Sequence, residues 1–195
     1  MLNGVFVKNY VAPLVDRREI LRYAGCRGEA DERTLALLEE CLQEAESVCA
    51  YRVCYRVFDV KQNDGVLEIG SIKTDSKALR SHLDSCEKAV VFAATLGLGL
   101  DRLITKYASV ATAKAVMLQA IGAERIEALC DTFCADLKKE YKNIKSRFSA
   151  GYGDFPLSAQ RDIFEMLDCP RQIGLTLNDS LLMSPTKSVT AIVGQ

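Results

Sequence analysis

One stretch of this chain gathers residue types that hold small charged ligands. Lys145 to Pro156 reads KSRFSAGYGDFP, with an arginine, two glycines, three aromatics and a closing proline. Arg147 offers a planar fork that can grip a carboxylate or a phosphate in two-pronged fashion. Gly151 and Gly153 flank Tyr152, so the backbone is free to adopt unusual angles or to approach a ligand closely. So many turn-forming and bulky residues in so short a span predict an ordered loop, and irregular segments carry sites more often than cores do. Upstream, Glu124, Glu127 and Asp131 recur at i, i+3 and i+7, which places them on one face of a helix. Such a stripe is ordinarily solvated. If it faces a groove, it suits a cation.

Other chemistries are excluded or weakly supported. With 25 basic and 26 acidic side chains the net charge is −1. No global basic field attracts nucleic acid or anionic lipid. The only histidine is His82, among polar residues and expected at the surface. Metal sites built from several histidines are therefore excluded. Eight cysteines are present, none in a C-x-x-C pair, so zinc ribbons and thioredoxin-type motifs find no support. The even count admits disulfides. However, the leading MLNGVFVKNYVAPLVDRRE lacks the apolar core of an export signal. Reduced thiols acting as small buried hydrophobes are the expectation, Cys130 and Cys134 included. No metal ligand set is expected. No apolar run reaches the ~20 residues of a membrane span, so the expectation is a cytoplasmic protein that binds neither membrane nor nucleic acid. Gly97-Leu98-Gly99 follows an apolar run, but Arg102 stands where a dinucleotide loop needs its third glycine. It reads as a tight strand-to-helix turn. No general base, nucleophile or oxyanion site stands out, so no catalytic residue is expected.

The elements that must position these residues follow from periodicity. A short helix is predicted over 16–23. Asp31 caps a helix to about Ala50, whose apolar face is Leu35, Leu38, Leu42, Ala45 and Cys49. Tyr51 to Val60 alternates as a strand, Asn63-Asp64-Gly65 turns, and Val66 to Lys73 returns. A helix over 74–86 precedes a buried strand, Lys88 to Thr95. The longest helix spans about 109–143 and carries the acidic stripe. Ser158 caps a short helix through Leu167, Gly174 ends a turn, and short strands fall at 175–177, 181–183 and 189–193, Pro185 separating the last two. At 195 residues and 49% hydrophobic composition, one domain is expected.

Four blocks in the last third carry a resemblance: RFSAGYGDFP, IFEMLD, IGLTLNDS and MSPTKSVT, in that order. Together they resemble the activation (reactivation) domain of vitamin B12-dependent methionine synthase. Arg147, Gly151, Tyr152, Pro156, Gly174, Ser180, Met183, Pro185, Ser188 and Val189 sit at matching positions. AIGAERIE, from Ala120 to Glu127, aligns more faintly with a helical segment ending in an acid. The resemblance covers 91–195 best, as the ligand-binding part of a single domain over 1–195. Residues 1–90 match weakly.

What the resemblance implies is an α+β fold: a C-shaped domain with a twisted, mainly antiparallel sheet flanked by helices, one of them long. Its groove binds S-adenosylmethionine through positions that here are Glu127, Arg147, Ala150, Gly151 and Tyr152. The chemistry agrees, since that ligand brings a carboxylate for an arginine fork, an ammonium and a sulfonium for an acid, and an adenine for an aromatic. The implied partners are a cobalamin-binding methionine synthase lacking its own activation domain, with cobalamin carried by that partner, and an electron donor such as a flavodoxin-like protein. The expected role is a free-standing activation subunit for reductive methylation of cob(II)alamin, not active alone. The alternative is a non-catalytic interaction module of another corrinoid methyltransferase system that no longer binds S-adenosylmethionine. An independent methyltransferase is disfavoured by the incomplete glycine loop.

Overall fold

The computed structural model describes residues 4–195; the first three residues of the leader reading lie outside them. The sheet is built on β2 (Arg52–Asn63) and β5 (Lys88–Thr95), which pair antiparallel over eight residues. Beyond β5 come β9 (Ser188–Gly194) and then a two-residue edge strand, β6 (Arg147–Phe148). On the other side of β2, its far half pairs with β3 (Val66–Ile69), followed by β4 (Ile72–Thr74), and its near half pairs with β1 (Phe6–Asn9). Every pairing is antiparallel, and the sheet curls between helices on both faces.

Strand alternation assigns the two faces. Val53, Tyr55, Val90, Phe92, Ala94, Ala191 and Val193 point to one side. There they pack under α1 (Arg17–Tyr23), α2 (Glu32–Val48), α4 (Leu98–Ala108) and the 29-residue α5 (Thr112–Glu140). Cys54, Ala89, Val91, Ala93 and Ile192 point to the other. They meet α3 (Lys77–His82), α6 (Gln160–Leu167) and α7 (Cys169–Ile173). Covered on both faces, β5 is apolar without interruption, as KAVVFAAT shows. A small hairpin of β7 (Thr176–Leu177) and β8 (Met183–Ser184) precedes β9.

Asp16 and Asp31 cap α1 and α2 through their carboxylates, as expected. Leu35, however, is exposed, and the buried stripe of α2 is Leu38, Cys41, Leu42 and Ala45. The expected strand 66–73 is divided by a turn at Gly70 into β3 and β4. The helix expected over 74–86 is only the six residues of α3. Ser158 caps nothing; Pro156 leads into a 3-10 turn at 157–159 before α6. The strand β1, inside a stretch without clear periodicity, is recruited by β2. Gly97, at φ 77°, opens α4 as the tight turn expected there. Gly99 is needed for a different reason: a Cβ there would lie 2.3 Å from the Val48 carbonyl oxygen, so α4 starts against the end of α2. All eight cysteines are free, and Cys41, Cys54, Cys130 and Cys169 are buried. No helix among the described residues is long and apolar enough to cross a membrane.

Candidate functional site

Arg147 enters the site from the sheet edge. Its backbone is paired with Val193 of β9, and Phe148 with Ile192. The side chain reaches α5, where Nη2 donates to Glu127 Oε2 at 2.9 Å and lies 2.9 Å from Asp131 Oδ1. Its charge also acts on the nearby thiols of Cys130 and Cys134. Burial pushes the Cys130 thiol up to about 12, so it stays neutral beside the guanidinium. Nη1 is shut away from solvent without a hydrogen-bond partner. Glu127 and Asp131 therefore face the 147–152 loop.

The third member of the stripe does not. Glu124 was expected to be solvated with the other two, but it is 4% exposed and pairs with fully buried Arg125. Helical spacing keeps position 124 on the same side as 127 and 131, and it lines the same groove, but the N-terminal segment lies over it. There Arg125 donates to the Pro13 carbonyl at 2.6 Å and the Leu14 carbonyl at 2.7 Å. Glu124 Oε1 accepts the Asp16 amide at 2.9 Å. This buried pair holds residues 13–16 as a strap across the helix. Between strap, α1 and α5 lies a groove of about 580 Å³ lined by Leu14, Asp16, Glu19, Tyr23, Glu127 and Asp131 among others. Glu127 and Asp131 thus stand at a seam, with the acidic groove on one flank of the helix and Arg147 on the other.

Past Arg147 the loop is held in place. Phe148 sits between the His82 ring at 5.0 Å and the Tyr152 ring at 6.0 Å, the latter edge-on. His82 is half-buried rather than at the surface as expected, because its Nε2 lies 2.8 Å from the Ser146 carbonyl oxygen. Gly151, at φ 93°, donates its amide to the Phe155 carbonyl, and the Tyr152 amide donates to the Ser149 carbonyl. Ala150 is buried against the second core and offers the site only its main chain; Tyr152 is 59% exposed. Asp154 then anchors the whole loop to α3. It accepts the Ser76 hydroxyl and the amides of Lys77 and Ala78, at 2.8 Å and 3.1 Å for the amides. The Ser76 hydroxyl first, then those amides, hold its carboxyl below the usual aspartate range.

Of the five residues proposed from sequence, Glu127 and Arg147 are in contact. Ala150, Gly151 and Tyr152 follow on the same anchored loop, but neither they nor Arg147 line the strap-side groove. The sequence reading missed the Asp154 anchor and the contribution of Asp16, Glu19 and Tyr23. Both depend on partners roughly a hundred residues away, for which local spacing carries no signal.

Sheet, long helix and anchored loop define an α+β domain with an acid–arginine seam between α5 and the loop. The chain belongs to the family described as vitamin B12 dependent methionine synthase, activation domain, whose model matches residues 80–195. Among solved structures, the chain is similar to one described as the crystal structure of the MetH reactivation domain bound to AdoHcy. The TM-score is 0.70 at 17% identity, covering 98% of this chain and 78% of that one. That likeness establishes the fold, including residues before 80 that the family model does not reach. A search of curated proteins finds no match.

Proposed function

We propose that the chain binds S-adenosylmethionine and presents it to a cobalamin held by a separate methionine synthase. The observation that carries this reading is the contact of Glu127 with Arg147 at 2.9 Å, inside the stretch that the family model matches. Arg147 would take the ligand carboxylate, Glu127 the ammonium, and Tyr152 would pack or hydrogen-bond beside the head group. The main chain at Ala150 and Gly151 would close the site around them. When bound, S-adenosylmethionine supplies an electrophilic methyl group. The protein's own part is to hold that methyl at a fixed position and to exclude water around it. An electron donor such as a flavodoxin-like protein would serve the partner.

A second reading is a module of another corrinoid methyltransferase system that does not bind S-adenosylmethionine. One observation favours it: Arg147 already has two carboxylates of its own, in Glu127 and Asp131. Calorimetric titration with S-adenosylmethionine separates the readings, with Arg147→Ala and Arg147→Lys run beside the wild type. A removed charge-assisted bond is worth roughly 1.5–3 kcal/mol, or about 10- to 150-fold in affinity. Under the first reading both variants lose comparable affinity, since an ammonium cannot reproduce the fork. If Arg147 only ties the loop to α5, Arg147→Ala lowers the melting temperature and leaves affinity unchanged. Copurification of a cobalamin protein distinguishes a dedicated subunit from an independent methyltransferase.

A further inference from the structure

We infer that Asp131 is a specificity-determining residue: it competes for Arg147 and so reserves the site for ligands carrying both a carboxylate and a cation. This rests on the reading that Arg147 and Glu127 receive an amino-acid head group. Nη2 of Arg147 donates to Glu127 Oε2 and forms an ion pair with Asp131 Oδ1, each 2.9 Å away. Nη1 is buried and has no partner. A ligand carboxylate that takes Nη2 must therefore displace one of the two acids.

Asp131 is the one that gives way. It is 73% exposed against 48% for Glu127, and it is Glu127 to which Arg147 donates its hydrogen bond. Both acids also face the groove beside the strap. A zwitterionic head exchanges partners there: its carboxylate takes Arg147, and its ammonium meets the acids that Arg147 releases. A simple carboxylate breaks the Arg147–Asp131 pair and leaves an acid without a cation, so it binds at a disadvantage. A ligand with no head group at all leaves the pair intact and gains nothing from it.

The test compares two ligands by calorimetry on wild type and Asp131→Asn. One is S-adenosylhomocysteine, and the other is its des-amino analogue, which keeps the carboxylate and lacks the amine. 5′-Methylthioadenosine, lacking the head group, serves as the reference. Asp131→Asn is expected to raise affinity for the des-amino analogue about two- to fivefold, the range of an exposed ion pair. The preference for S-adenosylhomocysteine narrows by the same factor, while 5′-methylthioadenosine is unaffected. A general loss of structure in the variant would change all three together, so the ratio isolates the exchange. An unchanged ratio, or weaker binding of the des-amino analogue, overturns the inference and leaves the functional reading standing. If folded wild type fails to bind S-adenosylhomocysteine, the functional reading fails and the inference falls with it. A double-mutant cycle on melting temperature in ligand-free protein supplies an independent check. Zero coupling between positions 131 and 147 shows that the competing pair does not form, which also overturns the inference.

Discussion

Replacing Arg125 by methionine would leave Glu124 as an unpaired charge at 4% exposure. Breaking a buried pair from one side costs about 3–5 kcal/mol, because the remaining charge has lost its compensation. The Pro13 and Leu14 carbonyls lose their donors as well. For a domain of this size each kcal/mol lowers the melting temperature by about 2–4 °C, so the drop should be roughly 6–20 °C. A second substitution, Glu124→Gln in the Arg125→Met background, removes the stranded charge and should recover part of that loss. The glutamine carbonyl can still accept the Asp16 amide. Urea unfolding of the three proteins measures the energies. Hydrogen exchange measures the location: amides of residues 10–16 should exchange faster in Arg125→Met even under conditions where the sheet stays protected. An Arg125→Met protein within about 1 kcal/mol of wild type would refute the reasoning, as would a double variant no more stable than the single one.

Asp154 ties the loop to α3, and its folded-state pKa is depressed, so the stability it contributes is present above the unfolded aspartate value of about 4 and lost as pH falls below it. Wild-type melting temperature should therefore fall more steeply between about pH 4 and pH 2 than that of Asp154→Asn; parallel curves would contradict the anchor. Gly99→Ala places a methyl 2.3 Å from the Val48 carbonyl oxygen and should cost roughly 1–3 kcal/mol by overpacking, read as a lower urea midpoint; unchanged stability would contradict the close approach. Burial pushes the Cys49 and Cys41 thiols to about 11 and Cys130 to about 12, so these three should resist alkylation of native protein near pH 8 and react after denaturation. Mass spectrometry of the alkylated peptides reads that directly.

What the chain makes legible is what neighbouring residues determine. Asp31 with its following leucines specifies α2, and the unbroken run Lys88 to Thr95 specifies the central strand, because capping and burial patterns are local properties. The turn at Gly97 is legible for the same reason. The loop at 147–156 is visible as unusual composition, and the resemblance rests there on Arg147, Gly151, Tyr152 and Pro156. The partners of that loop are not visible. Asp154 closes on Ser76 and Lys77, and His82 on the Ser146 carbonyl, through contacts that only the folded sheet creates. Glu124 illustrates the other limit. Helical spacing groups it with Glu127 and Asp131, yet the strap from Pro13 to Asp16 covers its edge of the helix and turns a solvated acid into a buried one. The strand β1 is invisible for a similar reason: FVKN has no strong preference of its own until β2 offers an edge.

The central claim is that the seam between α5 and the 147–152 loop binds the S-adenosyl amino acid. Amide and arginine side-chain resonances of labelled protein, followed by NMR during addition of S-adenosylhomocysteine, test it most directly. Saturable shifts are expected at Glu127, Arg147 and Ala150 to Tyr152, with smaller ones at Asp131, and little change on α6 and α7. Saturable shifts confined to another face of the domain, or none at millimolar ligand in a folded protein, would contradict it.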